Sequence, residues 1–187
     1  MFFLRIVRFS FIERIDMVVK KANYILRPWK ESDRDSLAYY ADNIRIWNNV
    51  RDSFPHPYTL EDADAYIKMA SIEPYSQFAI EISGRAAGGV GFIRQNDIER
   101  FNAEVGYWIG EPFQGLGIIS DALSELVNYA FTETDLIRLY ALAFDYNKSS
   151  MRVLEKNGFK HLAVMSRMGI KNGKIIDMHY YELLKPF

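Results

Sequence analysis

The most informative part of the chain is a glycine-containing turn at residues 113–123 that leads into an amphipathic helix. Ahead of it, Val105, Tyr107 and Ile109 alternate as in a strand, and apolar residues recur at helical spacing after it. The start of a helix exposes unpaired N–H groups and the positive end of the helix dipole, and glycine lets a phosphate approach the backbone. The pattern therefore predicts a site for a phosphate-bearing ligand.

Two common phosphate-binding motifs do not fit this turn. A Walker loop needs lysine and then serine or threonine after its last glycine, but Ile118 and Ile119 follow Gly117. A dinucleotide fingerprint needs a third glycine where this chain has Ser120. The turn by itself leaves open an ordinary glycine turn before a helix.

Four motifs in a fixed order carry a resemblance to a known family. They are Phe54–Thr59 with Leu60–Ala63, Glu104–Ile109, Gln114–Ile119 and Asn147–Phe159. Together they resemble the GNAT superfamily of acyl-CoA N-acyltransferases, and within it the branch of ribosomal-protein alanine N-terminal acetyltransferases. The resemblance extends from about Tyr24 to Leu184. One position departs from the family: Ile119 stands where glycine or alanine is usual, and its branched side chain can crowd a pyrophosphate without removing a backbone N–H.

The resemblance implies an α+β, GNAT-like fold, with a mostly antiparallel mixed sheet that is splayed at a central parallel strand pair and flanked by helices. It implies acetyl-CoA as co-substrate, with the pantetheine arm in the gap between the strand of Trp108 and the strand of Leu142. The residues that it implies for cofactor binding are Trp108, Ile109, Gln114, Gly115, Leu116, Gly117, Ile118, Ile119 and Asn147.

Acyl transfer from a thioester to an amine needs a neutral amine, aligned reactants and a proton for the departing thiolate. Glu104 heads the strand that runs into the glycine turn, so it is the candidate base, acting directly or through a water. Ser150 matches the family position that implies protonation of the thiolate. The structural alternatives are a solvated carboxylate for Glu104 and helix capping for Ser150. Since the chain has no cysteine, a cysteinyl intermediate is excluded and direct attack is favoured.

The acceptor is less constrained than the cofactor. The similar branch implies a protein N-terminal amine, but a polyamine or another small amine stays open, because a fold does not fix the acceptor. A non-catalytic acyl-CoA-binding module is a further alternative, which would need neither Glu104 nor Ser150. The resemblance implies an acceptor cleft built from Phe54, His56, Tyr58, Asp177, His179 and Tyr180.

Composition limits the other partners. The chain has 187 residues, 49% of them hydrophobic and 25% charged, which is typical of one globular domain. A net charge of −1 predicts no nucleic-acid partner. Three widely spaced histidines and no cysteine predict no metal site. Monomer and homodimer both stay open.

The first residues form a separate segment in our interpretation. Residues 1–16 are apolar but interrupted by charges, which argues against a spanning helix or a signal peptide. We interpret 1–16 as an extension that need not be native, and 17–187 as a single N-acetyltransferase domain. Binding to a membrane surface is the less favoured alternative, and a cytoplasmic location is expected because acetyl-CoA is an intracellular metabolite.

Local patterns predict several element ends. Ser32 is expected to cap a helix that carries Leu37, Tyr40, Ala41 and Ile44 on one face. Thr59 is expected to open a capping box, and hairpin turns are expected at 83–85 and 171–174.

Overall fold

The computed structural model describes residues 17–186, and within them eight strands form a single sheet. The strands are β1 (Val19–Lys20), β2 (Ile25–Pro28), β3 (Gln77–Ile82), β4 (Arg85–Arg94), β5 (Asn102–Ile109), β6 (Arg138–Phe144), β7 (Lys160–Lys171) and β8 (Lys174–Leu184). Their order is β1-β2-β3-β4-β5-β6-β8-β7, and every neighbouring pair is antiparallel except β5 with β6. The predicted fold class is confirmed.

Helices cover both faces of this sheet. They are α1 (Arg34–Ala41), α2 (Ile44–Trp47), α3 (Leu60–Ala70), α4 (Ile118–Thr132) and α5 (Lys148–Lys156). Leu37 of α1 and Ile67 of α3 pack with Trp29 in one core, whereas Leu126 of α4 and Leu154 of α5 belong to a second core. Consecutive residues of a strand point to opposite faces, so each strand contributes to both layers.

The predicted turns are confirmed by their backbone angles. Ser83 and Gly84 have φ of 51° and 78°, and Asn172 and Gly173 have φ of 52° and 71°. Two successive positive φ values are what a type I′ hairpin needs, and they give these turns the twist of the flanking strands. The capping box at Thr59 is also present, since its side chain accepts from the Asp62 N–H at 3.2 Å.

The start and end of α1 differ from the prediction. Ser32 lies inside a short 3-10 turn, and Asp33 beside it accepts from the Lys30 N–H at 2.9 Å and from both terminal nitrogens of buried Arg27 at 2.7 Å. This buried ion pair fixes the start of α1. Ile44 belongs to the separate helix α2, whose first turn is capped by Asn43, and it is 48% exposed.

The parallel pair separates partway along its length. In the described chain, β5 and β6 pair only where residues 102–104 lie beside residues 138–140. Beyond that point β5 runs on to Ile109 while β6 stays paired with β8 up to Phe144. The predicted splay between the strands of Trp108 and Leu142 is therefore confirmed, and it opens between β5 and β6 specifically.

The extension at 1–16 lies outside the described residues, so its interpretation stays a prediction. Met17, the first residue described, is buried in the core that α4 covers. Among residues 17–186, no helix has the length and apolar character needed to cross a bilayer.

Candidate active site

A cavity of about 340 Å³ occupies the gap between β5 and β6. Residues 104–108 line one side and Ala141, Leu142 and Phe144 line the other. Ser150 of α5 also lines it. The two residues expected to do proton chemistry, Glu104 and Ser150, therefore share one cavity.

The gap leaves part of the β5 backbone without a neighbouring strand. The Gly110 N–H donates to the Ala87 carbonyl of β4 at 2.7 Å, so the backbone groups of Gly110 point toward β4. Because direction alternates along a strand, the backbone groups of Val105 and Tyr107 point instead toward the gap. A ligand with amide groups can pair with them in the way that an added strand does.

The glycine turn lies at the start of α4, as the sequence predicts. Gly115 and Gly117 have φ of 75° and 78°, and a Cβ on either would meet no atom within 4 Å. Gly117 is the N-cap of α4 and no side chain caps this end, whereas Asn43, Thr59 and Asn147 cap α2, α3 and α5 with side-chain oxygens. The first N–H groups of α4 are thus left for an anion, with open space above them.

The side chains around the turn point in different directions. Leu116 is 62% exposed, Ile118 is buried, and Ile119 is half-buried and packs against the core under α4. Gln114 donates through Nε2 to the Ile109 carbonyl at 3.3 Å, which ties the turn to the end of β5. Ile118 and Ile119 therefore anchor the turn to the core, whereas Leu116 is open to solvent.

Glu104 is held at the cavity by the strand and by a salt bridge. Its side chain is 20% exposed and accepts a hydrogen bond from the Arg51 guanidinium. Burial raises the pKa of Glu104 and outweighs the opposing effect of Arg51. A carboxylate with a raised pKa in a cavity has the property that a general base needs.

Ser150 has two partners that sequence reasoning did not connect. Its N–H donates to Asn147 Oδ1 at 3.0 Å, so Asn147 acts as the cap of α5. Its Oγ lies 2.9 Å from the Tyr107 hydroxyl, and burial raises the pKa of Tyr107. Tyr107 is therefore a neutral hydroxyl at physiological pH, and the pair forms a short chain of proton donors at the cavity wall.

Glu104 and Tyr107 lie on opposite faces of β5. Tyr107 packs on the core under α4 and α5, whereas Trp108 packs on the core under α1 and α3. By alternation Glu104 shares the face of Trp108. The proton donors and the candidate base thus approach the gap from the two sides of the sheet.

The residues suggested for the acceptor cleft are only partly brought together. Phe54 lines the cavity and its ring lies 5.7 Å from that of Trp108. The other suggested residues do not line it: His56 lies 3.2 Å from Asp42, His179 hydrogen-bonds to His161 at 3.0 Å, and Tyr58, Asp177 and Tyr180 are also absent from its walls.

Arg51 and Tyr107 are the site residues that the sequence analysis missed as partners of Glu104 and Ser150. Arg51 is a single arginine in a loop, and nothing in its sequence context points to Glu104. For Tyr107, the alternation along β5 predicts on which face of the sheet its side chain lies. It does not predict the contact with Ser150 of α5. Within residues 17–186, no cluster of histidine, aspartate and glutamate is arranged to hold a metal ion.

Comparison with known proteins adds to this geometry. A family model for the acetyltransferase (GNAT) domain matches residues 23–160. The ribosomal-protein-serine acetyltransferase of Escherichia coli (strain K12) is 34% identical over 94 residues, which are 49% of this chain and 52% of that protein. The spermidine N(1)-acetyltransferase of the same strain is 28% identical over 136 residues, 72% of this chain and 71% of that protein.

The chain spans about half the length of five of the curated relatives that it matches. Among solved structures, RimL, a ribosomal alpha-N-protein acetyltransferase in complex with coenzyme A, has a TM-score of 0.80 at 22% identity, covering 90% of this chain and 98% of RimL. At that identity the likeness shows the fold alone. The family model covers well over half of the sequence, and on that ground the chain belongs to the GNAT acetyltransferase family.

Proposed function

We propose that this protein transfers an acetyl group from acetyl-CoA directly to a primary amine, and that the amine is a protein N-terminus. The observation that carries the proposal is the gap between β5 and β6, where Glu104, Tyr107 and Ser150 line one cavity. The strand β5 that lines it leads into the turn at the uncapped start of α4, and Gln114 ties that turn to the end of β5. An acyl-CoA-binding module would need the helix start but not this arrangement of proton donors and acceptors.

The proposed cofactor mode uses two features of the backbone. The pyrophosphate of acetyl-CoA is held by N–H groups at the start of α4, where Gly115 and Gly117 leave room for it. The pantetheine arm lies in the gap and pairs its amides with the free backbone groups of β5. Trp108 and Leu142 then border the arm on its two sides.

The proposed chemistry is a direct attack. The amine nitrogen bonds to the thioester carbonyl carbon, and its proton passes to the Glu104 carboxylate, directly or through a water. The carbon–sulfur bond breaks, and the thiolate takes the proton of Ser150 Oγ while Ser150 takes the proton of the Tyr107 hydroxyl, 2.9 Å away. Solvent then returns a proton to Tyr107, and Glu104 releases to solvent the proton that it took from the amine. Holding both reactants in one cavity supplies the alignment that this reaction needs.

The relatives offer two kinds of acceptor, and those named for ribosomal proteins support the assignment to a protein N-terminus. One relative is named for ribosomal-protein serine and another for spermidine. A panel of a peptide with a free N-terminus, the same peptide N-terminally blocked, and spermidine separates them. We expect thiol release from acetyl-CoA with the free peptide and a mass increase at its α-amine. Turnover on spermidine alone would show that the acceptor is a polyamine and not a protein N-terminus. Binding of acetyl-CoA with no turnover on any amine would favour a non-catalytic acyl-CoA-binding module.

Ser150→Ala is expected to lower kcat with little change in the KM for acetyl-CoA. A general acid contributes about 10²–10⁴-fold, and we expect the low end because the Tyr107 hydroxyl stays in place. The double variant Ser150→Ala with Tyr107→Phe is expected to lose more. Steady-state kinetics measure both, with the exposed neighbour Ser149→Ala as control. An unchanged kcat in the double variant would remove both hydroxyls from the mechanism.

Ile119→Ala is expected to leave acetyl-CoA binding intact or to tighten it slightly. Ile119 is the position that departs from the family, and its half-buried side chain packs partly on the core. Titration calorimetry gives the affinity. Ile118→Ala is a contrast in stability, not in affinity: Ile118 is buried, so its truncation should cost about 2–5 kcal/mol of stability, more than truncation of half-buried Ile119. A tenfold loss of affinity in Ile119→Ala would show that this side chain helps to hold the cofactor.

Two further parts of the proposal concern the whole chain. We propose a cytoplasmic protein, since its proposed co-substrate is an intracellular metabolite, and a single catalytic domain over 17–187. A protein beginning at Met17 should then keep the kcat of the full chain. Loss of folding in the shortened protein would show that residues 1–16 belong to the domain.

A further inference from the structure

A second and larger cavity, of about 1190 Å³, lies beside the reaction cavity. We call it the α3 groove. Its walls are the side of α3 that carries Ala65 and Met69, the segment 74–77, the end of β4 at 92–94, and the chain around the end of α4 at 133–135. Nothing in the proposed chemistry uses this space.

The α3 groove is continuous with the reaction cavity. Five residues line both, namely Ser53, Phe54, Tyr66, Gln77 and Ile93. Phe54 stands at the junction: its ring lies 5.7 Å from Trp108 of the reaction cavity and 5.0 Å from Tyr58 of the groove. Ile93 pairs in the sheet with Glu104, so the groove begins beside the candidate base.

The walls of the groove are mostly apolar and include large exposed side chains. Met69 and Ile93 are 49% and 65% exposed, and both face this space. The polar groups of the wall are fixed, since Gln77 Nε2 donates to the Phe92 carbonyl at 2.9 Å and the Tyr66 hydroxyl donates to Gln77 Oε1 at 3.4 Å. Binding of an apolar occupant to exposed apolar walls of this kind is favourable, because it removes apolar surface from water.

The groove also has more acidic than basic side chains. Asp62, Glu133 and Asp135 line it together with one cation, Arg94, which pairs with Asp135 at 2.7 Å. The remaining carboxylates favour an occupant that carries positive charge.

We infer that the α3 groove holds the polypeptide segment that follows the acceptor amine, and that it favours apolar and basic side chains in that segment. The inference rests on the proposed function for the position of the amine. The groove exceeds the roughly 300–1,000 Å³ of small-molecule pockets, which favours a chain over a small amine. Its continuity with the reaction cavity at Ile93 gives the direction in which the chain leaves Glu104.

The test measures binding of C-terminally labelled peptide amides in the presence of saturating coenzyme A, so that it does not depend on turnover. The probes are alanyl-leucinamide and two eight-residue amides that begin with the same dipeptide and continue with alternating leucine and lysine, or leucine and glutamate. We expect the lysine octapeptide to bind about 10-fold or more tightly than the dipeptide, and the glutamate octapeptide to bind more weakly than the lysine one.

Two variants of α3 locate the effect. Ala65→Trp fills the groove outside the reaction cavity and should remove the advantage of the lysine octapeptide without changing dipeptide binding. Lys68→Trp places the same side chain on the same helix outside the groove and should retain the advantage. Equal affinities for dipeptide and octapeptide, or equal loss in both variants, would overturn the inference.

Turnover on the same peptides separates this inference from the proposed function. If the lysine octapeptide binds more tightly than the dipeptide, Ala65→Trp removes that advantage and no peptide is acetylated, the proposed function fails. The assignment of the α3 groove as a peptide-binding site is then retained. If both lengths are acetylated with equal kcat/KM and bind equally, the groove inference fails and the proposed function stands.

Discussion

Gly117→Asp is expected to abolish measurable binding of acetyl-CoA while the protein stays folded. A Cβ at this position meets no atom of the protein within 4 Å, so the new side chain enters only the space proposed for the pyrophosphate. Two like charges about 4 Å apart near a protein surface repel by about 4 kcal/mol, or roughly 10³-fold in affinity. Titration calorimetry with acetyl-CoA measures the loss, and thermal unfolding checks the fold.

Gly117→Asn is the matched control for this variant. Asparagine has nearly the same shape as aspartate and tolerates the positive φ of 78° about as well, but it carries no charge. We expect it to weaken binding much less than aspartate does. Unchanged affinity in Gly117→Asp would mean that the turn at the start of α4 is only a turn and that the cofactor lies elsewhere.

Glu104→Gln is expected to lower kcat by about 10²–10⁴-fold with a smaller change in acetyl-CoA affinity. The amide keeps the shape of the side chain but cannot accept the proton of the attacking amine. Glu182→Gln is the control, because Glu182 is also a partly buried carboxylate in an ion pair, with Arg138 at 2.9 Å, but does not line the reaction cavity. A wild-type rate in Glu104→Gln would leave only alignment and solvent for the proton transfer.

The pH dependence gives a second readout of Glu104. The base is active when ionised, so kcat/KM should fall as the pH drops through the pKa of Glu104. Burial raises that pKa, which places this acidic limb above the range of an exposed glutamate. Arg51→Ala removes the charge that favours the carboxylate, so the limb should move to still higher pH. A limb that does not move in Arg51→Ala would show that another group controls it.

The order of the elements and the position of the cofactor turn could be predicted from the sequence. Gly115 and Gly117 stand between an alternating segment and a helical one, and glycine permits the positive φ values that both adopt. The motifs carried the resemblance that predicted the splayed parallel pair. The turn depends on neighbours in the sequence, which is why its pattern reveals it, whereas the splay separates two strands far apart in the sequence and was predicted only through the resemblance.

The partners of the site residues could not be predicted in the same way. The hydrogen bond between the hydroxyls of Tyr107 and Ser150 joins residues 43 positions apart, and the Arg51–Glu104 pair joins residues 53 apart. Such contacts arise only when the sheet and α5 are packed. The wrong prediction for Ser32 has the same cause. The buried ion pair of Arg27 and Asp33 sets the start of α1, and the local sequence around Ser32 does not show that pair.

The most direct test is a crystal structure with a bisubstrate analogue, in which coenzyme A is joined through an acetyl linker to the N-terminus of the lysine octapeptide. The expected result places the pantetheine arm between β5 and β6, its sulfur beside Ser150 and the linked nitrogen on the side of Glu104. Pyrophosphate on the N–H groups at the start of α4 completes that result. Pantetheine bound elsewhere, with the gap between β5 and β6 still open, would contradict acetyl transfer at this site.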